Sequence, residues 1–216
     1  MPTQDYRNEK DEKIPGNTTV IGSNLGWSKG ALMYWAWKEG KEGRDFRQTR
    51  DTAADAGTLC HAMIEADIKG KPLPPPAVAY PPGVVAKAET GFLNFLEWKK
   101  MYGLKLITME VPLVSEKYQF GTTIDILAEV AGKRSIVECK TSNDVYEDML
   151  IQMAAQREAW DENHPTEKIQ SLHLLKVNKE VAAFSHHFWD NLDVGWQAFV
   201  ALRELHDLHK TLKKLK

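Results

Sequence analysis

The sequence predicts a mixed α/β fold, with a central mixed sheet of about five strands flanked by helices. Three observations predict it. Residues 28–102 repeat apolar side chains at helical spacing, interrupted by glycine and proline. Three runs rich in β-branched residues then alternate as strands do, at "KLITMEVPLV", "TTIDILAEV" and "RSIVECK". A helix, two more strands and a closing helix complete the order.

The elements follow in turn. Residues 1–16 are dense in charge and are expected to form a flexible N-terminal segment. "IPGNTTVIGSNLG" reads as extended or turn-rich. Ser28 is placed to cap a helix through "KGALMYWAWKEG", stopped by Gly40. A longer helix spans residues 45–68, where Leu59, Met63 and Ile64 share one face. "KPLPPPAVAYPPG" is a proline-rich surface connection. Residues 84–102 form a helix whose Phe92, Phe95 and Trp98 make a core stripe. "AGKR" turns the second strand into the third. "VYEDMLIQMAAQREAWDEN" is a helix broken before Pro165, "IQSLHLLKVN" and "VAAFSHHFW" are strands, and residues 191–214 close the chain as a helix with a basic last turn. The chain therefore reads as one domain over residues 17–216: a helical part at 17–103, a sheet core at 104–190 and a closing helix at 191–216.

With 216 residues, 43% of them hydrophobic, and 7 Trp, 6 Tyr and 7 Phe, the chain can bury a core and is not of disordered composition. No apolar stretch is long enough to span a membrane, and the charged first residues do not resemble a secretion signal. Cys60 and Cys139 are far apart and lack metal-knuckle spacing, which points to a reducing, cytoplasmic setting. A formal net charge of −2 excludes a globally basic nucleic-acid binder but not a local basic channel.

The most informative stretch is "SIVECKTS". A two-residue loop at Gly132 and Lys133 would set Asp125 opposite Lys140 and Leu127 opposite Glu138. Asp125, Glu138 and Lys140 then share one sheet face, while Ile124, Ile126, Ala128, Val137 and Cys139 face away as an apolar set. Any even loop keeps this arrangement, and an odd one destroys it. Two adjacent carboxylates repel unless a cation intervenes. Lys140 supplies one charge, and a hard divalent ion, Mg²⁺ or Mn²⁺, would suit the oxygen donors better. The competing reading is a surface ion pair on a solvated sheet face.

Asp125, twelve intervening residues and Glu138-Cys139-Lys140 resemble the PD-(D/E)XK nuclease superfamily. "GTTID" resembles the Gly-x-x-x-Asp segment of its RecB-like branch. "GTLCHAMIE", with Gly57, His61 and Glu65, resembles that branch's histidine motif, and "LIQMAAQ", with Gln152, its glutamine helix. "TTVIGSNLGWSKGALMYWAW" is similar to the opening of phage-encoded exonucleases, which themselves resemble the mitochondrial genome maintenance exonuclease. The resemblance covers most of residues 18–160 and implies a restriction-endonuclease-like core with an N-terminal helical extension.

It further implies a metal-dependent deoxyribonuclease, an exonuclease leaving 5′-phosphate products, in phage or bacterial DNA processing, recombination or repair. Asp125 and Glu138 would bind the metal, joined by His61 and the Cys139 carbonyl. Lys140 would orient the attacking water and help deprotonate it if its pKa is lowered, and Gln152 would hold water, lysine or phosphate. Glu110 matches an acidic position before the aspartate strand, and Glu65 lies one turn beyond His61. Gln156 stands where the family often has tyrosine. Two cysteines cannot build the four-cysteine cluster of some relatives, so no iron–sulfur cluster is expected. The partner would be DNA, single-stranded or a duplex end. The resemblance admits a homo-oligomer, although the sequence marks no subunit interface. The rivals are a non-catalytic nucleic-acid-binding protein that keeps the fold, and a metallohydrolase of small substrates. His186, His187, His206 and His209 lack cysteine or carboxylate partners at useful spacing and read as structural. Trp27, Tyr34, Trp35 and Trp37 could stack on bases, with core packing as the default expectation.

Overall fold

The structure, a computed structural model, describes residues 4–27, 29–74, 80–142 and 144–215. The cap expected at Ser28 and part of the proline-rich connection lie outside them. In chain order the elements are β1 (Tyr6–Arg7), β2 (Lys13–Ile14), α1 (Asn17–Asn24), α2 (Lys29–Lys41), α3 (Phe46–Ile68), α4 (Pro82–Tyr102), β3 (Lys105–Ser115), β4 (Phe120–Val130), β5 (Lys133–Lys140), α5 (Glu147–Asn163), β6 (Ser171–Val177), β7 (Phe184–Trp189) and α6 (Asp193–Lys213).

The five-stranded sheet runs β3-β4-β5-β6-β7. All neighbours are antiparallel except β5 and β6, which are parallel and joined by the crossover helix α5. Helices α3 and α4 cover one face, packing Cys60, Met63, Phe95 and Trp98 on Ile126, Val137, Cys139 and Leu175. Helices α1, α5 and α6 cover the other, packing Val20, Met153 and Phe199 on Phe120, Leu127, Ile136 and Leu174. Among the described residues no helix is long and apolar enough to cross a membrane.

Asp45 caps α3 by accepting from the Arg47 amide. Gly103, at φ +61°, ends α4 in the left-handed conformation that glycine adopts without penalty.

Three expectations are corrected. Residues 14–26 are not simply extended: residues 17–24 form α1 despite a β-branched, glycine-containing sequence of low helix propensity. Packing overrides propensity there, since Val20 is fully buried and Ile21 is 5% exposed. Residues 4–16 do not read as a frayed end either. β1 and β2 pair, Ile14 is buried, and the Gly121 amide donates to the Pro15 carbonyl.

The β4–β5 turn is the third. Its loop is Ala131-Gly132, pairing Val130 with Lys133 and Leu127 with Ile136, two residues out of the expected register. Both loop residues have positive φ, +50° and +79°. Such a two-residue turn matches strand twist and favours glycine second, which draws the loop one residue earlier. Because the loop stays even, Glu138 and Lys140 keep the parity inferred from the sequence. The face they share is not solvated, however. Leu127 and Ile136 are fully buried there beneath α5, and Ile124 belongs to that same layer.

Candidate active site

A cleft of about 1050 Å³ opens between α3, the N-terminus of α1 and the C-terminal end of β5. His61, Glu65, Glu110, Asp125, Cys139, Lys140 and Gln152 all line it, and Glu138 lies just beneath. His61 and Gln152, 91 positions apart in the chain, thus line one cleft.

The β4–β5 ladder ends at Ile126 and Val137, and the two acids are the next residues out on each strand. Asp125 and Glu138 are in hydrogen-bond contact. Burial, then the neighbouring Glu138 charge, pushes the Asp125 carboxyl well above its ordinary value. Glu138 is 1% exposed, which excludes a surface ion pair. Burial alone would raise its pKa, but Lys140, Gln156 and His61 together hold it below the ordinary carboxylate value. The two carboxyls are thus pushed in opposite directions, Asp125 towards holding its proton and Glu138 towards losing it.

Lys140 Nζ donates to Glu138 Oε1 at 2.5 Å, and Gln152 Nε2 reaches the same oxygen at 3.4 Å. Burial disfavours the Lys140 ammonium, yet Glu138 and Asp125 outweigh it and the pKa rises. The lowered pKa required of a lysine base is thus absent in this state, and Lys140 is a cationic donor.

His61 hydrogen-bonds the Cys139 backbone carbonyl. Burial lowers its pKa, opposed by Glu138 and reinforced by Lys140. Helix α3 reaches this position because Gly57 lacks a side chain: a Cβ there would lie 2.9 Å from Thr141 Oγ1. Glu65 pairs with Lys69 on the next turn. Glu110 has φ +53° inside β3, a conformation costly for a non-glycine residue and characteristic of functional sites. Its pKa is raised by burial and by Glu65.

Among the described residues no three histidine, cysteine or carboxylate side chains stand close enough to hold an ion as placed. The donor set nevertheless suits a hard divalent cation. Mg²⁺ needs only one or two protein carboxylates, completing its shell with water and substrate oxygens. Asp125 and Glu138 supply two, and a cation between them would relieve the repulsion that raises the Asp125 pKa.

Two contributions go beyond the sequence reading, which placed Gln156 only at the family's tyrosine position. Gln156, fully buried, donates to the Thr123 carbonyl at 3.0 Å and to Glu138 Oε2 at 3.3 Å. Its signal was a second amide one turn after Gln152 on an otherwise apolar helix face. Tyr6 lines the cleft and shares a 2.8 Å hydrogen bond with Thr123 Oγ1; nothing in its charged surroundings marks it.

No family model and no curated protein sequence matches the chain. Solved structures do. An alkaline exonuclease from Laribacter hongkongensis is 14% identical with TM-score 0.37, over 59% of this chain and 73% of that one. The same enzyme in complex with dAMP aligns at TM-score 0.39, over 76% and 92%. An exonuclease-like protein from Eubacterium rectale is 14% identical with TM-score 0.49, over 71% of this chain and 65% of its own. At this identity and these scores, none of the likenesses transfers a residue assignment.

Proposed function

We propose that the protein is a metal-dependent nuclease that hydrolyses DNA phosphodiesters. In this reading it acts as an exonuclease leaving 5′-phosphate ends, in phage or bacterial DNA processing, recombination or repair. One observation carries the reading: Asp125, in the cleft wall, touches the buried Glu138, and the Lys140 ammonium is bound to Glu138. The motif order of His61, Asp125, Glu138-x-Lys140 and Gln152 supports it.

Asp125 and Glu138 would hold Mg²⁺ or Mn²⁺, with the Cys139 carbonyl and His61 as further candidate ligands. The bound ion would supply Lewis-acid polarisation of the phosphodiester and a water of lowered pKa. The chain's own groups do the rest. Lys140, swung from Glu138, donates to the attacking water or a phosphate oxygen and offsets charge developing there. Gln152 and Gln156 hold Glu138 in one orientation. His61, kept neutral by burial, donates to a carbonyl or phosphate oxygen without adding charge. Water attacks phosphorus, the bond to the 3′-oxygen breaks, and the products are a 5′-phosphate and a 3′-hydroxyl.

The test is Mg²⁺-dependent degradation of end-labelled single-stranded and duplex DNA by the wild type, Asp125→Asn and Lys140→Ala. Loss of at least about a hundredfold in each variant is expected. Binding without degradation by the wild type would establish the non-catalytic alternative instead.

A further inference from the structure

Helix α2 turns most of its large side chains outward. Trp27, just before it, and Tyr34 and Trp37 within it are 67%, 65% and 57% exposed. Core packing, the default expectation for these aromatics, is met in part only by Trp35, half-buried edge-on to Phe46. Glu39 is the buried side of the helix and holds Arg44 and Thr49.

Tyr34, Trp37, Lys38 and Lys41 follow i, i+3, i+4, i+7 spacing, so they form one stripe facing away from Trp35, Ala36 and Glu39. The Tyr34 and Trp37 rings are 5.6 Å apart, and Lys41 Nζ sits 5.1 Å from the Trp37 ring centre. Residues 27–50 contain six basic and three acidic side chains, in a chain of net charge −2. On the next helix Arg47 and Arg50 are exposed, Arg50 paired at the surface with Asp51, and share the α3 face of Ala54, Gly57 and His61, which line the cleft.

We propose that this face of α2, continued by Arg47 and Arg50, is a docking track for an unpaired nucleic-acid strand entering the cleft. The proposal rests on the reading of the cleft as a phosphodiester site and adds the substrate form. Exposed rings flanked by cations fit splayed bases and their phosphates, and stacking is tolerant of sequence because every base has a π-face. Bases inside a duplex are already stacked on both faces and cannot occupy the rings. A second copy of the chain would set like-charged stripes against each other.

The test is equilibrium binding of labelled oligothymidylate, an abasic strand of equal length and a blunt duplex, all in EDTA so that no strand is cut. The wild type should prefer oligothymidylate to the other two by at least about tenfold. Tyr34→Ala with Trp37→Ala should weaken oligothymidylate binding by about tenfold or more, leave the abasic strand unaffected, and be rescued by the paired phenylalanine replacements. Lys38→Glu with Lys41→Glu should weaken both single strands and flatten the salt dependence. Unchanged oligothymidylate affinity in the alanine pair overturns the proposal. So does a shift from dimer to monomer in that variant with affinity unaltered, which would make the stripe a self-association face. Metal-dependent hydrolysis with ring-independent binding sinks the track alone. Ring-dependent binding with no hydrolysis sinks the nuclease reading and supports the track.

Discussion

Gln156 Nε2 donates both to Glu138 Oε2, at 3.3 Å, and to the Thr123 carbonyl oxygen, at 3.0 Å. One amide thus ties α5 to β4 and β5 just where their ladder has ended. The Gln156 Oε1 atom has no partner among the described residues, so its donor side makes every bond the side chain has. Gln156→Ala should destabilise the fold by about 1–3 kcal/mol in urea unfolding, because the Thr123 carbonyl and Glu138 each lose a donor. Gln156→Glu should cost more at neutral pH, since it adds a carboxylate against an ionised one. Equal stability of wild type and Gln156→Ala would show that the bond is incidental.

Asp125 offers a test of the cation without a turnover assay. Burial and the Glu138 charge disfavour its ionised form, so an isosteric neutral amide should fit. Asp125→Asn should unfold within about 1 kcal/mol of the wild type in EDTA. Mn²⁺ at roughly a hundred times its dissociation constant should stabilise the wild type by about 2.7 kcal/mol. That corresponds to a Tm rise of about 5–10 °C, and the variant should not respond. Equal shifts in both proteins would place the ion elsewhere.

A separate polar chain predicts acid sensitivity. Ser171 Oγ lies 3.0 Å from His173 Nε2, and His173 Nδ1 lies 2.9 Å from His186 Nε2. Burial, then His186 and Lys133, lowers the His173 pKa to about 4. A histidine depressed in the folded state contributes no penalty above its unfolded pKa near 6.5. Below that, the unfolded chain takes a proton that the folded chain refuses. Stability should therefore fall between about pH 6.5 and pH 4, by roughly 3 kcal/mol in all. His173→Gln should flatten that slope in denaturant titrations at pH 7, 5.5 and 4.5. An unchanged slope would assign the sensitivity to other groups.

The parts of the site that the sequence made legible are those specified by local periodicity. His61 is set by helical spacing, and Glu138 and Lys140 by strand alternation; Asp125 meets them where alternation on β4 breaks, since Ile124 packs in the layer of Leu127 rather than that of Ile126. The register itself was misplaced by two residues because turn chemistry, not hydrophobic pattern, chose Ala131-Gly132. The bonds made by Gln156 and Tyr6 were opaque because their partners are 18 and 33 residues away for Gln156 and 117 for Tyr6. Residues 4–16 hid a docked hairpin because their charges, such as Lys13 with Asp5, pair with one another at the surface. Ile14 is their one buried aliphatic residue, and with Tyr6 it is too sparse to form a pattern. Helix α1 was missed for the opposite reason, since its β-branched residues argue for a strand until Val20 and Ile21 are seen packed.

That hairpin gives the last prediction. Gly121 opens the Gly-x-x-x-Asp segment, and a Cβ there would stand 2.0 Å from Tyr6 Cγ and 2.3 Å from Cδ1. The Tyr6 ring lies directly on the glycine, with its hydroxyl on Thr123 two residues further along β4. The glycine is thus required by a neighbour, since its φ is not among the positive ones. Gly121→Ala must expel the ring and, with it, one wall of the cleft. It should destabilise the protein by about 2 kcal/mol or more, as overpacking does. Tyr6→Ala should cost less on its own, because the ring is only half-buried. The double variant should be no less stable than Tyr6→Ala, since the clash has nothing left to strike. A coupling of at least about 1 kcal/mol in this double-mutant cycle is the expected reading. Strict additivity would mean that the glycine and the ring do not meet, and that the N-terminal hairpin has no part in shaping the cleft.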